Sequence, residues 1–198
     1  MDLTLFTWIS IITIFLLGTL AHFLYDLSHE NKILGLFTAV NESTWEHVKI
    51  AITPTLLWSL LDGYFYGENP NYFPAKLASL GILTFFIPLV FYSYTRVTKK
   101  PVLPLDIATF LIAIILAQQA FQAIITLPAV PHPAAYLSVV ATFVFFGAYM
   151  TLTLMPLKQI PFKDPITHQY GFRAHRNFFK SLHRSRKSRK NSSTPKNH

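Results

Sequence analysis

The sequence HFLYDLSHENKILGLFTAVNESTWEHVK, residues 22–49, carries most of the polar chemistry of an otherwise apolar chain. These 28 residues hold four of the nine acidic residues and three of the eight histidines. Ionisable side chains close to a bilayer are costly, so a cluster of them indicates a functional site. Its polar members include His22, Asp26, His29, Asn41, Glu42, Ser43, Glu46, His47 and Lys49.

The composition around this stretch is that of a membrane protein. Of the 198 residues, 52% are hydrophobic and only 13% are charged, whereas soluble domains carry about 25% charged residues. The absence of cysteine excludes disulfides, thiolate metal sites and cysteine nucleophiles. The net charge of +8 is not spread evenly, because 11 of the 17 Lys and Arg residues follow Met155. We do not expect nucleic-acid binding, since no base-reading module accompanies this charge.

Five apolar runs predict an all-α bundle of five transmembrane helices, at residues 3–24, 45–66, 75–95, 103–127 and 134–155. About 20 residues at ~1.5 Å each cross a hydrocarbon core of ~30 Å. The apolar segment 33–40 is too short to cross, so we expect it to be re-entrant or interfacial. Ser43 followed by Glu46 predicts a capping box at the start of the second span.

The chain therefore divides into a membrane domain, residues 1–172, and a basic tail, residues 173–198, which we expect to be disordered. Basic residues favour the cytoplasmic side of a membrane. With the C-terminus in the cytoplasm and the N-terminus outside, 16 of the 17 basic residues are cytoplasmic, and only Lys76 is not. We expect a multi-pass protein of the cell membrane whose partners are the lipid bilayer and, at the tail, anionic lipid headgroups.

The opening stretch has the donor types of a metal site. His22, Asp26 and His29 recur at spacings i, i+4 and i+7, which places them on one face if the first helix continues. Facing helices that offer imidazoles and carboxylates build metal sites in helical bundles, and these N and O ligands suit a divalent metal such as zinc. The candidate ligands are His22, Asp26, His29 and His47.

A bound metal lowers the pKa of its water and so permits hydrolysis at neutral pH. The candidate catalytic residues are His22, Asp26, Glu42, Glu46 and His47. We expect His22 and Asp26 to face Glu46 and His47 inside the bundle, because a polar group in the membrane needs a partner.

Other interpretations of these residues remain open. Glu42, Ser43 and Glu46 are also what a helix N-terminus favours, since its dipole attracts negative charge, and Trp45 and His47 suit a membrane interface. A second polar set, Asp62, Gln118 and Gln122, predicts interhelical hydrogen bonds or an outer vestibule. Three functions remain: a lipid-modifying, hydrolase-like enzyme that depends on a metal or on acid–base chemistry, a small-solute or proton transporter, and a structural membrane subunit.

The string from Asn41 to Lys49, NESTWEHVK, preceded by HFLYD at residues 22–26, resembles a family of small bacterial multi-pass membrane proteins. That family is known only as a domain of unknown function. The resemblance covers the five spans and ends near Phe172. It implies a bacterial membrane protein of this shape and brings no activity with it.

Overall fold

The structure is a computed structural model that describes residues 2–174. Within these residues it is all-helical, with six α-helices, one 3₁₀ turn and no β-strand. The helices are α1 (Leu3–Leu27), α2 (Lys32–Gly35), α3 (Thr44–Tyr66), α4 (Tyr72–Thr98), α5 (Leu103–Ile125) and α6 (His132–Leu154), followed by the 3₁₀ turn Ile160–Phe162. The basic tail predicted from residue 173 lies, apart from Arg173 and Ala174, outside the described residues.

Four helices of the described part, α1, α4, α5 and α6, are long and apolar enough to cross a membrane. Their outward faces carry large apolar side chains, such as Leu16, Phe85, Leu116 and Phe143, that are exposed in the isolated chain. These faces match lipid contact. The chain is therefore a membrane protein with several apolar helices, as the sequence predicts.

The helix α3 corresponds to the predicted second span but is not among those four. It carries Glu46, Lys49 and Asp62, and all three are buried. The helix lies at the centre of the bundle, where it contacts α1, α4 and α5. Protein rather than lipid therefore surrounds most of its polar side chains.

The long helices alternate in direction along the chain. The C-terminal ends of α1, α4 and α6 and the N-terminal ends of α3 and α5 lie together, and we name this the site end. Close packing of α1 on α3 occurs at Gly18, where an added Cβ would lie 2.7 Å from the carbonyl oxygen of Ile50. Only glycine permits this approach, which brings the site end of α1 against the start of α3.

The predicted capping box is wrong. Ser43 is the N-cap residue of α3, but within the described part of the chain its side chain makes no capping hydrogen bond. Glu46 instead binds the ammonium of Lys49 at 2.6 Å and accepts a hydrogen bond from the backbone N–H of Val40 at 3.0 Å. The buried lysine requires a counter-charge, and this requirement overrides the local capping pattern.

After α6 the chain folds back across the site end as an ordered segment, residues 156–174, which we name the strap. Phe162 is buried against Trp45, with ring centroids 5.1 Å apart. An antiparallel β-bridge joins Lys163 to Tyr170. Asn41 donates from its side-chain amide to the carbonyl oxygen of Gly171 at 3.1 Å. The strap is therefore attached to the loop that precedes α3.

Candidate functional site

Three side chains from two separate parts of the chain meet at the site end. His22 comes from the last turns of α1, Glu42 from the loop before α3, and His47 from the first turn of α3. One donor atom from each lies within 4.8 Å of the others. The two imidazole rings have centroids 5.5 Å apart.

The carboxylate of Glu42 lies between the two imidazoles. Its Oε1 is 4.0 Å from Nε2 of His22, and its Oε2 is 3.9 Å from Nε2 of His47. These distances are too long for hydrogen bonds. Donor atoms about 2.0–2.1 Å from a tetrahedral zinc ion are about 3.3 Å apart. The three donors lie up to 4.8 Å apart, so they would have to approach each other by up to about 1.5 Å to coordinate one ion.

The backbone sets the orientation of His47. Its Nδ1 lies 3.0 Å from the carbonyl oxygen of Ser43. A carbonyl oxygen can only accept, so Nδ1 carries the proton, and in the neutral ring Nε2 presents a lone pair to Glu42. A backbone contact of this kind fixes the tautomer of metal-binding histidines. His22 lacks such a contact within the described residues, because its Nδ1 is buried without a hydrogen-bond partner.

Glu42 is held by the strap. Its backbone N–H donates to Oδ1 of Asp164 at 3.0 Å, and Oδ2 of the same carboxylate accepts from the hydroxyl of Thr167 at 2.6 Å. Asp164 is only 2% exposed. The sequence alone does not single out this residue, because 122 positions separate it from Glu42.

A cleft of about 460 Å³ opens beside the three donors, between α1, α3, α4 and α5. Its polar lining is His22, Glu42, Thr44, His47, Asp106 and Thr109, and its apolar lining includes Ile87, Phe91, Leu103, Phe110 and Ile166. Among the described residues that line it, two are carboxylates and none is Lys or Arg. Ligand sites are commonly apolar clefts of this size with a few convergent polar groups.

Two of the predicted ligands lie elsewhere. Asp26 and His29 are exposed and do not join the group of three donors. His29 falls after the end of α1 with a φ of 56°, so the helix does not continue far enough to keep it on the face of His22. Glu46, one turn beyond Glu42, turns toward Lys49 instead of toward His22.

The other predicted polar residues of this stretch attach the start of α3 to its surroundings. Asn41 accepts from the backbone N–H of Ser43 at 2.8 Å while it binds the strap. Lys49 donates to the carbonyl oxygen of Gly35 at 2.9 Å and is fully buried. Trp45 packs between Phe162 and Tyr149. Most of the NESTWEHVK string therefore has a structural contact.

The second polar set lies in the half of the bundle away from the site end. Asp62 forms a buried ion pair with Lys76 and accepts from the hydroxyl of Tyr72 at 2.7 Å. Gln118 accepts from Ser10 at 3.1 Å, and Gln122 donates to Thr4 at 3.3 Å. These contacts join α3 to α4 and α5 to α1.

The sequence matches a known protein family. A family described as "Family of unknown function (DUF6512)" matches residues 2–172, which is nearly the whole described part. The chain belongs to that family. The DUF6512 match begins before α1 and ends within the strap, so the candidate site and the segment that holds Glu42 lie inside it. No curated protein and no solved structure matches the chain.

Proposed function

We propose that this protein is a membrane-embedded hydrolase-like enzyme whose centre is a divalent metal, zinc or a similar ion, held by His22, Glu42 and His47. The observation that carries the proposal is the approach of three donors within 4.8 Å, with one imidazole already oriented by a backbone carbonyl. Two imidazoles and one carboxylate leave a fourth position of a tetrahedral ion for water or substrate. Such an open position is typical of catalytic zinc sites, whereas structural sites have four protein ligands.

The cleft supports a lipid-like substrate. An apolar chain fits against Ile87, Phe91 and Phe110, while the bond to be cleaved lies near Glu42. The metal would supply an activated water at neutral pH. Glu42 and the histidines are each only partly exposed, which leaves the centre open to water from the site end.

We propose that α3 is a fifth membrane-crossing helix. Its 23 residues equal the length of α5 and α6. Its charged groups are compensated inside the bundle, Lys49 by Glu46 and Asp62 by Lys76. A helix with such internal pairs can cross without exposing a charge to lipid, which is the usual condition for ionisable groups at membrane depth. The segment 33–40, with the single turn of α2, is then interfacial.

The transporter alternative has less support. Glu46, Lys49 and Thr53 share one face of α3, whereas Ser59 and Asp62 lie on the opposite face at ~100° per residue. The Asp62–Lys76 pair therefore faces α4, away from the Lys49 pair, which contacts Gly35. The contacts of the Asp62–Lys76 pair match a structural role in helix packing.

Metal binding tests the proposal. We expect the full chain, purified in mild detergent, to bind about one equivalent of zinc, and His22→Ala, Glu42→Ala and His47→Ala each to lose it. His132→Ala is the matched control, because His132 is an exposed histidine at the opposite end of the bundle. Unchanged zinc content in the three variants would refute the metal centre.

Activity is tested separately. The metal-loaded protein is incubated with phospholipid vesicles, and the lipids are followed by mass spectrometry. We expect a new product that disappears with a chelator and with His47→Ala. A stoichiometric metal without any product would leave a structural metal site and refute the enzymatic part of the proposal.

A further inference from the structure

A second cleft at the site end has the opposite charge. It has a volume of about 640 Å³ and lies between the end of α6 and the strap. Its cationic lining is Lys158 and Arg173, with His168 beside them, and no Asp or Glu is among the described residues that line it. By contrast, the carboxylates Glu42 and Asp106 line the cleft beside the three donors of the proposed metal centre. The basic cleft therefore suits an anionic ligand.

The basic cleft lies at the end of an apolar helix that is long enough to cross a membrane. The apolar helix α6 ends at Leu154, and Leu154 lines the cleft. Directly beyond it the chain exposes two large apolar side chains, Met155 at the end of α6 (73% exposed) and Ile160 in the strap (74% exposed). Apolar side chains beside cations are characteristic of segments that lie at the boundary between headgroups and acyl chains.

The fold fixes the backbone around these cations. Gly171, which lines the cleft, has a φ of 56° that favours glycine, and its carbonyl oxygen is bound by Asn41. His168 donates its backbone N–H to the carbonyl oxygen of Asp164 at 3.0 Å, inside the turn closed by the Lys163–Tyr170 bridge. The ordered turn lies between Lys158 and Arg173 in the sequence, and Arg173 follows Gly171 by two residues.

We propose that the basic cleft binds the headgroup phosphate of an anionic phospholipid, with Lys158 and Arg173 as its cationic partners and an acyl chain along Leu154. Arg forms two parallel hydrogen bonds to phosphate, and Lys adds a point charge. The ligand is a lipid and not free phosphate, because the cleft continues onto the apolar end of α6. This site is independent of the proposed metal centre.

The test is lipid retention by the full chain. Native mass spectrometry of the protein in mild detergent compares phosphatidylglycerol with phosphatidylcholine. We expect preference for phosphatidylglycerol, and at least about tenfold weaker retention in the Lys158→Gln/Arg173→Gln variant. Both side chains are exposed, so the thermal unfolding midpoint should stay unchanged. The Lys158→Arg variant should retain the lipid.

The matched control removes the same charge elsewhere. Lys187→Gln/Lys190→Gln takes two positive charges from the basic sequence after residue 174, and we expect less than about a twofold change. Equal losses in the two double variants would mean diffuse attraction and would overturn the proposal. Displacement of the lipid by millimolar inorganic phosphate would also overturn it, because the cleft would then be a free-phosphate site.

Discussion

Glu42 takes its position from Asp164, a residue far away in the sequence. The carboxylate of Asp164 receives the backbone N–H of Glu42 with one oxygen and Thr167 with the other. The side chain of Glu42 is partly exposed, and its oxygens lie beyond hydrogen-bond distance of both imidazoles. We therefore expect Asp164 to act as a positioning residue, whose effect on the proposed metal would pass through the loop that bears Glu42.

Replacement of Asp164 by alanine should weaken zinc binding by about 10- to 100-fold, as is usual when outer partners of metal ligands are removed. The physical reason is that the N–H of Glu42 loses its acceptor and the loop 41–43 shifts. Competition titration with a zinc chelator measures the change. Thr167→Val is the control, since it removes one hydroxyl bond to Asp164 and leaves the bond to Glu42 in place. A wild-type affinity in Asp164→Ala would contradict the positioning role.

At the residue scale, the sequence indicated the region of the candidate site but only some of the residues that form it. The cost of ionisable groups in a membrane pointed to residues 22–49, and His22 and His47 do lie together. Periodicity alone proposed Asp26 and His29 as their partners. For His29 this required a helix that continues past Leu27, whereas Asp26 lies within α1 but is exposed. The role of Asp164 could not be predicted, because local patterns carry no information about a contact across 122 residues.

Packing between α1 and α3 sets the distance between the two histidines. Gly18 lies one turn before His22, and an added Cβ would lie 2.6 Å from the ring of Phe110 and 2.7 Å from the carbonyl oxygen of Ile50. The aromatic ring can move aside, but the backbone of α3 cannot. Any larger residue at position 18 must therefore push the two helices apart.

We expect Gly18→Val to destabilise the fold by ~1–3 kcal/mol through overpacking and to lower zinc affinity, because His22 moves away from His47. The measurements are the thermal unfolding midpoint and the zinc titration. Gly81→Ala provides the comparison, since a Cβ there meets no atom of residues 2–174 within 4 Å. If Gly18→Val binds zinc like the wild type, helix separation does not control the site.

The buried ion pair between Glu46 and Lys49 leads to a second prediction at the scale of the helices. Lys49→Met leaves the carboxylate of Glu46 buried without its cation, and we expect a loss of ~3–5 kcal/mol. Glu46→Gln/Lys49→Met should recover much of this loss, since a neutral amide still accepts from Val40. Thermal unfolding of both variants in the same detergent checks which of them is more stable. A double variant less stable than Lys49→Met would contradict the charge argument.

The long helices were predictable as elements, and their ends less so. Apolar runs predicted α1, α4, α5 and α6 to within a few residues, because lipid contact demands continuous apolar sequence. The N-terminus of α3 was predicted at the right residue for the wrong reason, since Glu46 serves Lys49 and not Ser43. The fold of the strap could not be predicted from local sequence, because its contacts are with distant parts of the chain.

At the scale of the whole molecule, burial refines the charge argument for orientation. Lys76 is the one basic residue assigned to the outer side, and it is neutralised by Asp62 inside the bundle. Lys49 is likewise neutralised by Glu46 and contributes little to the choice of side. The exposed basic residues at the site end then carry the orientation argument; they are Lys32, Arg96, Lys99, Lys100, Lys158, Lys163 and Arg173. They favour a site end in the cytoplasm.

Cysteine labelling tests both this orientation and the crossing of α3. The chain has no cysteine, so Lys32→Cys, Glu68→Cys and Lys100→Cys each introduce one thiol at an exposed position. We expect a membrane-impermeant maleimide to label intact cells only at position 68, because Glu68 follows the outer end of α3. Labels at 32 and 100 but not at 68 would mean an inverted protein. Positions 32 and 68 labelled from the same side would mean that α3 does not cross.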